Sequence, residues 1–173
     1  RKYKNIKVLD VIGEGGFGVV LNGIIDNKKV IVKSITEPAK RTNQLYDEVE
    51  FSYYMGENKL GPKVYDAFFI KDRYKAVQFI VMEPFDTNCH DAMRDKTISV
   101  ANKKSIVKQM IDLVKKQIYD LELNCSDIKS NNYVYKKKGN LVRIIDFGAD
   151  FCSIQAKRKV RCNQFSYKYT QDI

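Results

Sequence analysis

Cys125-Ser126-Asp127-Ile128-Lys129-Ser130-Asn131-Asn132 runs directly into Tyr133-Val134-Tyr135, and Asp146 of Ile144-Ile145-Asp146-Phe147-Gly148 follows Asn132 by fourteen residues. The two polar clusters stand at the ends of separate short apolar runs, Tyr133–Tyr135 and 141–145, joined by the turn Lys136-Lys137-Lys138-Gly139-Asn140. Their side chains form a chemical set. Asp127 can accept the proton of an attacking hydroxyl, and Lys129 can neutralise a phosphate in transfer. Asn132 and Asp146 offer hard oxygen atoms to magnesium. Loops rich in Ser, Asn and Asp are commonly plain turns. The order and spacing of the pair give it meaning.

Working towards the N-terminus, Gly13-Glu14-Gly15-Gly16-Phe17-Gly18-Val19-Val20 carries glycines at 13, 15 and 18. Without Cβ atoms the backbone there can approach phosphate oxygens. A GxGxxG run also fits a dinucleotide site or a simple glycine-rich hairpin. Here it lies between two strands instead of opening a helix. Lys33 ends the apolar run Val30-Ile31-Val32-Lys33, fifteen residues past Gly18. A lysine pointing inward from such a strand needs a carboxylate or phosphate partner, whereas a strand-end surface lysine needs none. Of the two acids on the helix that follows, Glu48 shares a face with Leu45 and Ser52, while Glu50 is expected to face solvent.

The remaining pattern organises these motifs. Strands are expected over 7–12, 18–25 and 29–35, the last two joined by the Asp26-Asn27 hairpin turn. A helix follows over 42–55, with Thr42 as its cap and Gly56 and Leu60-Gly61-Pro62 closing it. Two further strands cover 63–70 and 76–82, split by Lys71-Asp72-Arg73. Pro84 then breaks the pattern. A long amphipathic helix over 102–119 presents Ile106, Met110, Leu113 and Val114 as a core stripe. The pattern weakens after Asp150. This predicts an α+β, two-lobed plan: residues 1–84 form a five-stranded antiparallel sheet with one helix, and 85–173 a mainly helical, shortened part.

Composition limits the alternatives. The 173 residues suffice for one domain, with 44% hydrophobic and 30% charged residues, an ordinary globular balance. No apolar run reaches membrane-spanning length. The cysteines at 89, 125, 152 and 162 form no CxxC pair, and the single histidine, His90, adds little to a metal site. Scattered thiols suit a reducing, intracellular compartment, cytoplasm or nucleus. The charge of 31 − 21 = +10 favours acidic partners, but a solubilising surface explains it more simply than a specific nucleic-acid site. The Lys136–Lys138 turn is read as solvated, while the basic run Lys157–Arg161 is equally compatible with drawing in an acidic substrate.

Taken together, the glycine run, Lys33, the Asp127–Asn132 cluster and Asp146-Phe147-Gly148 resemble the eukaryotic protein kinase family over nearly the whole chain. The resemblance implies ATP and Mg²⁺ as cofactors and a protein substrate. By it, Gly13, Gly15, Gly18 and Val20 cover the nucleotide. Lys33 binds phosphates and pairs with Glu48. Met82 is the gatekeeper, Glu83 and Phe85 form the adenine-binding hinge, and Val134 lies under the base. Asp127 is implied as catalytic base with Lys129 beside it, and Asn132 and Asp146 as metal ligands. Lys129 resembles the serine/threonine type. The Asp127–Asn132 and Glu48–Phe51 runs look most like the vaccinia-related and casein-kinase-1 branch, and the Lys/Asn/Ile/Tyr-rich flavour suits a large DNA virus, placing the protein in a host cell.

The chain also departs from that pattern. Cys125-Ser126 replaces the family's His-Arg, removing the cation that grips an activation-loop phosphate. Ile31 replaces the alanine above adenine, and Ser52 stands where a bulky apolar residue is usual. No Ala-Pro-Glu motif follows Gly148, so the chain is expected to be either a fragment or a reduced kinase. Three functions compete: an active Ser/Thr kinase, a pseudokinase or decoy that docks on another kinase or regulator, and a small-molecule kinase of the aminoglycoside or choline type.

Overall fold

The computed structural model describes residues 6–15, 18–38, 42–71, 74–125, 127–147 and 152–154. The first half forms one antiparallel sheet in the order β1-β2-β3-β5-β4, from β1 (Lys7–Gly15), β2 (Gly18–Ile25), β3 (Lys28–Pro38), β4 (Val64–Lys71) and β5 (Lys75–Met82). Asp26 and Asn27 turn β2 into β3 with φ of 48° and 62°, the left-handed pair that short polar residues tolerate and that matches strand twist. The Lys71-Asp72-Arg73 turn, the Thr42 cap and the Leu45 side chain lie outside the described residues and side chains.

Register assigns each residue of β3 and β5 to a face. Val20 opposes Lys33, Lys33 opposes Ile80, and Ile31 opposes Met82, so these side chains share the inner face. Helix α1 (Thr42–Glu57) packs there: its Val49 is fully buried in a cluster with Ile35, Val64, Phe69, Ala76 and Ile80. The alternate residues Val30, Val32 and Val81 pack on the outer face with Ile25, Phe68 and Phe79, whose rings stack at 4.9 Å. Each such buried aliphatic side chain contributes about 1.5–3 kcal/mol. Glu48 and Ser52 are buried on α1's sheet-facing side, whereas Glu50 is half-buried instead of solvent-facing.

Beyond Met82 come β6 (Thr87–Asn88), α2 (Cys89–Arg94), α3 (Val100–Lys115), β7 (Leu123–Cys125), β8 (Tyr133–Lys136), β9 (Leu141–Ile144) and β10 (Cys152–Ile154). Ile106 and Leu113 of α3 bury against Tyr133, Tyr135, Val142, Ile144 and Phe147, with Met110 and Val114 alongside. Gln109 fastens the β8–β9 hairpin to α3: its amide nitrogen donates to the Asn140 carbonyl at 2.8 Å, and its oxygen accepts from the Val142 N–H at 3.1 Å. The regular helix ends at Lys115, short of the expected 119. A π-helical turn, Lys116–Asp120, widens the coil and tucks Gln117 into the interior.

Candidate active site

The glycine turn is built on a steric necessity at one position. Gly18 has φ of +130°, and a Cβ there would lie 2.0 Å from the Ser34 carbonyl oxygen of β3. A side chain at 18 must therefore push β2 off β3. A Cβ at Gly15, which pairs with Gly18 across the turn, would meet no described atom within 4 Å, an open space a ligand could use. A Cβ added at Gly13 would lie 3.8 Å from Val20 Cβ, an ordinary contact. Residues 16 and 17 lie outside the described residues. Gly18→Ala is expected to cost about 3 kcal/mol from overpacking and a disfavoured backbone, roughly 10 °C in a thermal melt; a melt unchanged within a degree or two contradicts this geometry.

Lys33 is the meeting point of three elements. From β3 its ammonium contacts Glu48 Oε1 of α1 at 2.5 Å and Asp146 Oδ1, just past β9, at 2.9 Å. Burial by itself would lower the lysine pKa, but attraction and hydrogen bonds from Glu48 and Asp146 outweigh it and the net shift is upward. Burial also pushes the Glu48 carboxyl up, against the pull of Lys33 and with the added repulsion of Asp146. The lysine thus stays charged between two carboxylates, and the trio carries an excess negative charge. Asp146 itself adopts φ of +69°, a left-handed conformation that aspartate tolerates at a modest cost. Two backbone bonds set its place: the Ile144 N–H donates to the Leu60 carbonyl after α1, and the Ile145 N–H to the Asn132 carbonyl, both at 2.8 Å.

Asp127, Lys129 and Asn132 form a second cluster. The Asp127 carboxylate accepts from Lys129 Nζ at 2.7 Å and from Asn132 Nδ2 at 2.9 Å, while the same amide reaches the Asp127 carbonyl at 3.0 Å. Asn132 ends a 3₁₀ turn, Ser130–Asn132, and is buried, so it holds the loop closed from beneath. The Lys129 hydrogen bond, then that of Asn132, keeps Asp127 below the usual carboxylate range. A carboxylate depressed in this way remains ionised as pH falls. Lys129→Met removes the larger cause, so the acidic limb of kcat/KM should move to higher pH, with kcat reduced about 10–100-fold. An unmoved limb would mean that another group titrates.

One backbone hydrogen bond therefore joins the two clusters: Asn132 belongs to one and, by accepting from the Ile145 N–H, fixes Asp146 of the other. The protein kinase domain family model matches residues 6–170. The chain belongs to the protein kinase domain family. It is 26% identical over 153 residues to the serine/threonine-protein kinase PRR2 of Saccharomyces cerevisiae, covering 86% of this chain and 21% of the yeast protein. The chain thus spans about a fifth of that relative's length.

Within the kinase domain, the residues expected at the hinge are stitched to the β8 strand. The Glu83 N–H donates to the Lys63 carbonyl at 2.9 Å, and its carboxylate accepts from Lys136 Nζ at 2.8 Å. The Lys136 ammonium also stands 5.6 Å over the Phe85 ring. Asp86 donates its N–H to the Tyr135 carbonyl at 3.0 Å and accepts from the Lys137 N–H at 2.7 Å, while Lys137 Nζ pairs with Asp95 at 3.0 Å. The turn is solvated at Lys137 and Lys138, which are exposed, but Lys136 and Lys137 are also engaged, because folding brings acids from 83–95 within reach. No local signal could have revealed this. Val134, half-buried between Tyr133 and Tyr135, shares a strand face with Lys136. Met82 is half-buried opposite Ile31, so the two side chains share one face of the sheet.

The donor set fits magnesium. The Asn132 amide nitrogen is used within the loop, which leaves its oxygen as the atom available to a ligand, and Asp146 bonds Lys33 through only one carboxylate oxygen. Two hard oxygens beside a surplus of negative charge suit an ion that completes its shell with water and phosphate. Among the described residues no group of three His, Cys, Asp or Glu side chains could hold a metal by itself, and no described helix is long and apolar enough to cross a membrane.

Proposed function

We propose that this kinase domain is catalytically active and transfers the terminal phosphoryl group of ATP to serine or threonine hydroxyls of protein substrates. The observation that carries this reading is the linked pair of clusters, Lys33–Glu48–Asp146 and Asp127–Lys129–Asn132, which retains every charged group the reaction requires. MgATP, when bound, supplies the phosphoryl group and the cation that offsets its charge. Asn132 and Asp146 would hold the metal, and Lys33 would turn towards the nucleotide phosphates while Glu48 keeps it aimed. Gly13, Gly15, Gly18 and Val20 cover the nucleotide from above, Val134 supports it from below, and Met82, Glu83 and Phe85 frame its base.

Asp127 orients the substrate hydroxyl and accepts its proton as the new oxygen–phosphorus bond forms and the bond to the ADP oxygen breaks. Lys129, already beside Asp127, offsets charge on the moving group. The serine/threonine assignment rests on Lys129 and on the name of the yeast relative. We further place the chain nearest the vaccinia-related and casein-kinase-1 branch, of viral origin and acting inside a host cell, on the motif runs and composition described above.

The test is transfer of radiolabelled phosphate from MgATP to the protein itself and to casein or histone, followed by phosphoamino-acid analysis. Label on serine and threonine is expected. Absence of any transfer while ATP still raises the melting temperature would instead establish a nucleotide-binding decoy, and label on tyrosine would overturn the residue class.

A further inference from the structure

Strands β7 and β10 form a two-stranded antiparallel sheet of their own. Its register sets Cys152 opposite Cys125, Ser153 opposite Asn124 and Ile154 opposite Leu123. Leu123 is buried in the core with Tyr133, Ile144 and Phe147, which anchors β7 and gives β10 a fixed strand to pair with. Two thiols that the chain keeps apart, with no CxxC spacing, therefore share one rung of a ladder. Cys89, by contrast, is fully buried in the core, and burial pushes its thiol up to about 12. It stays an inert packing residue.

Directly opposed residues of an antiparallel pair have Cα atoms about 4.5–5.5 Å apart. A disulfide spans about 4.4–6.8 Å between Cα atoms, so such a rung lies within its reach. The Cβ atoms decide what kind of bond results. A disulfide needs them about 3.5–4.5 Å apart, whereas opposed Cβ atoms rest about 4.5–5.5 Å apart. Closing the bond must draw the strands together by up to about 1 Å, and that strain makes it readily reduced. The rung borders the reacting groups: Cys125 stands two residues before Asp127, and Lys129, Asn132 and Asp146 lie between the two cysteines in the chain. Farther along this stretch Asn132 is already tied to Ile145 by a backbone hydrogen bond of 2.8 Å. The pull of a closing rung therefore falls first on Asp127. A misplacement of about 1 Å at a reacting centre costs roughly 10²-fold in rate.

We propose that Cys125 and Cys152 form a redox-sensitive thiol pair, which a peroxide joins into a reversible disulfide that draws Asp127 out of its working position. One thiolate takes an oxygen from hydrogen peroxide and becomes a sulfenic acid, and the hydroxide released gains a proton to become water. The second sulfur then attacks the first, the S–O bond breaks, and its oxygen leaves as a second water. Two electrons pass from the sulfurs to the peroxide, and a dithiol reductant returns them. The effect on transfer rests on the kinase reading above, whereas the thiol pair itself does not.

The test maps the bond without relying on transfer. The reduced full chain is treated with hydrogen peroxide, its free thiols are alkylated, and it is digested without reductant for mass spectrometry. A peptide pair joining residues 125 and 152 should predominate, in a protein that runs as a single chain on a non-reducing denaturing gel, and dithiothreitol should remove it. Linkage chiefly to Cys162 or to a second molecule, or both thiols left free, would overturn the pair. Transfer measured on the same samples should fall at least about tenfold on oxidation and recover with dithiothreitol. Cys125→Ser and Cys152→Ser should each keep their own untreated rate after peroxide, while Cys162→Ser should lose it as the wild type does. A linked protein that transfers at the reduced rate would overturn the switch. Linkage in a protein that transfers nothing even when reduced would refute the kinase reading and leave the thiol pair standing.

Discussion

Asp127→Ala is expected to lower phosphoryl transfer about 10³-fold while leaving the fold and nucleotide binding nearly intact. The carboxylate is a quarter exposed and sits at the mouth of the loop, so its removal opens no cavity in the core. What is lost is the acceptor of the hydroxyl proton, a contribution of roughly 10²–10⁴, together with the orientation of the attacking oxygen. Lys129 and the Asn132 amide lose their shared partner, but both lie near water or retain the Asp127 carbonyl. Initial rates with radiolabelled ATP, taken beside ATP-induced thermal shifts, separate the two effects. A rate within threefold of wild type would deny Asp127 its role as base. A collapsed melting temperature would show that the loop depends on this carboxylate for its structure.

Lys33→Met should act on both chemistry and stability. Transfer should fall about 10²–10³-fold, because the phosphates lose their cation and Asp146 loses the contact that aims it. The stability effect is the more unusual. The Glu48 side chain is only 7% exposed, and without Lys33 it faces Asp146 with no cation in contact. Stranding one member of a buried pair costs about 3–5 kcal/mol, and the exposed edge at Asp146 favours the lower figure.

The pH dependence has a definite sign. Burial and Asp146 both raise the Glu48 pKa, and only Lys33 opposes them. In the variant the folded-state value rises further above the unfolded one. A carboxyl raised on folding contributes stability that is present below its unfolded pKa and lost as pH rises through its folded pKa. The deficit of Lys33→Met against wild type should therefore be small near pH 4.5 and grow towards pH 8, read from urea unfolding at each pH. A deficit independent of pH would place the cost in packing and not in charge. Glu48→Gln should be milder, because Asp146 still holds the lysine.

The sequence by itself determined the strands and picked out the candidate reacting groups, because both are written in local chemistry. The apolar runs 18–25, 29–35 and 76–82, with Asp26-Asn27 able to take left-handed angles, leave little choice but a hairpin-built antiparallel sheet. Glu48 could be preferred to Glu50 because helical periodicity puts it on one face with Leu45 and Ser52, although Glu50 proved half-buried. Asp127, Lys129, Asn132 and Asp146 stood out because few patterns gather those side chains at strand ends in that order.

Tertiary structure decided what depends on segments distant in sequence. β10 has no pattern of its own and exists because Cys152, Ser153 and Ile154 find the edge of β7. Lys136 and Lys137 read as a solvated turn until folding set Glu83 and Asp95 beside them. The π turn after Lys115, the neighbourhood of His90 and Ser130, and the Lys33–Asp146 contact across 113 residues belong to the same class. In each case the deciding free energy comes from a partner that chain order does not place nearby. A group's own sequence neighbourhood states what it can do, and only packing states what it meets.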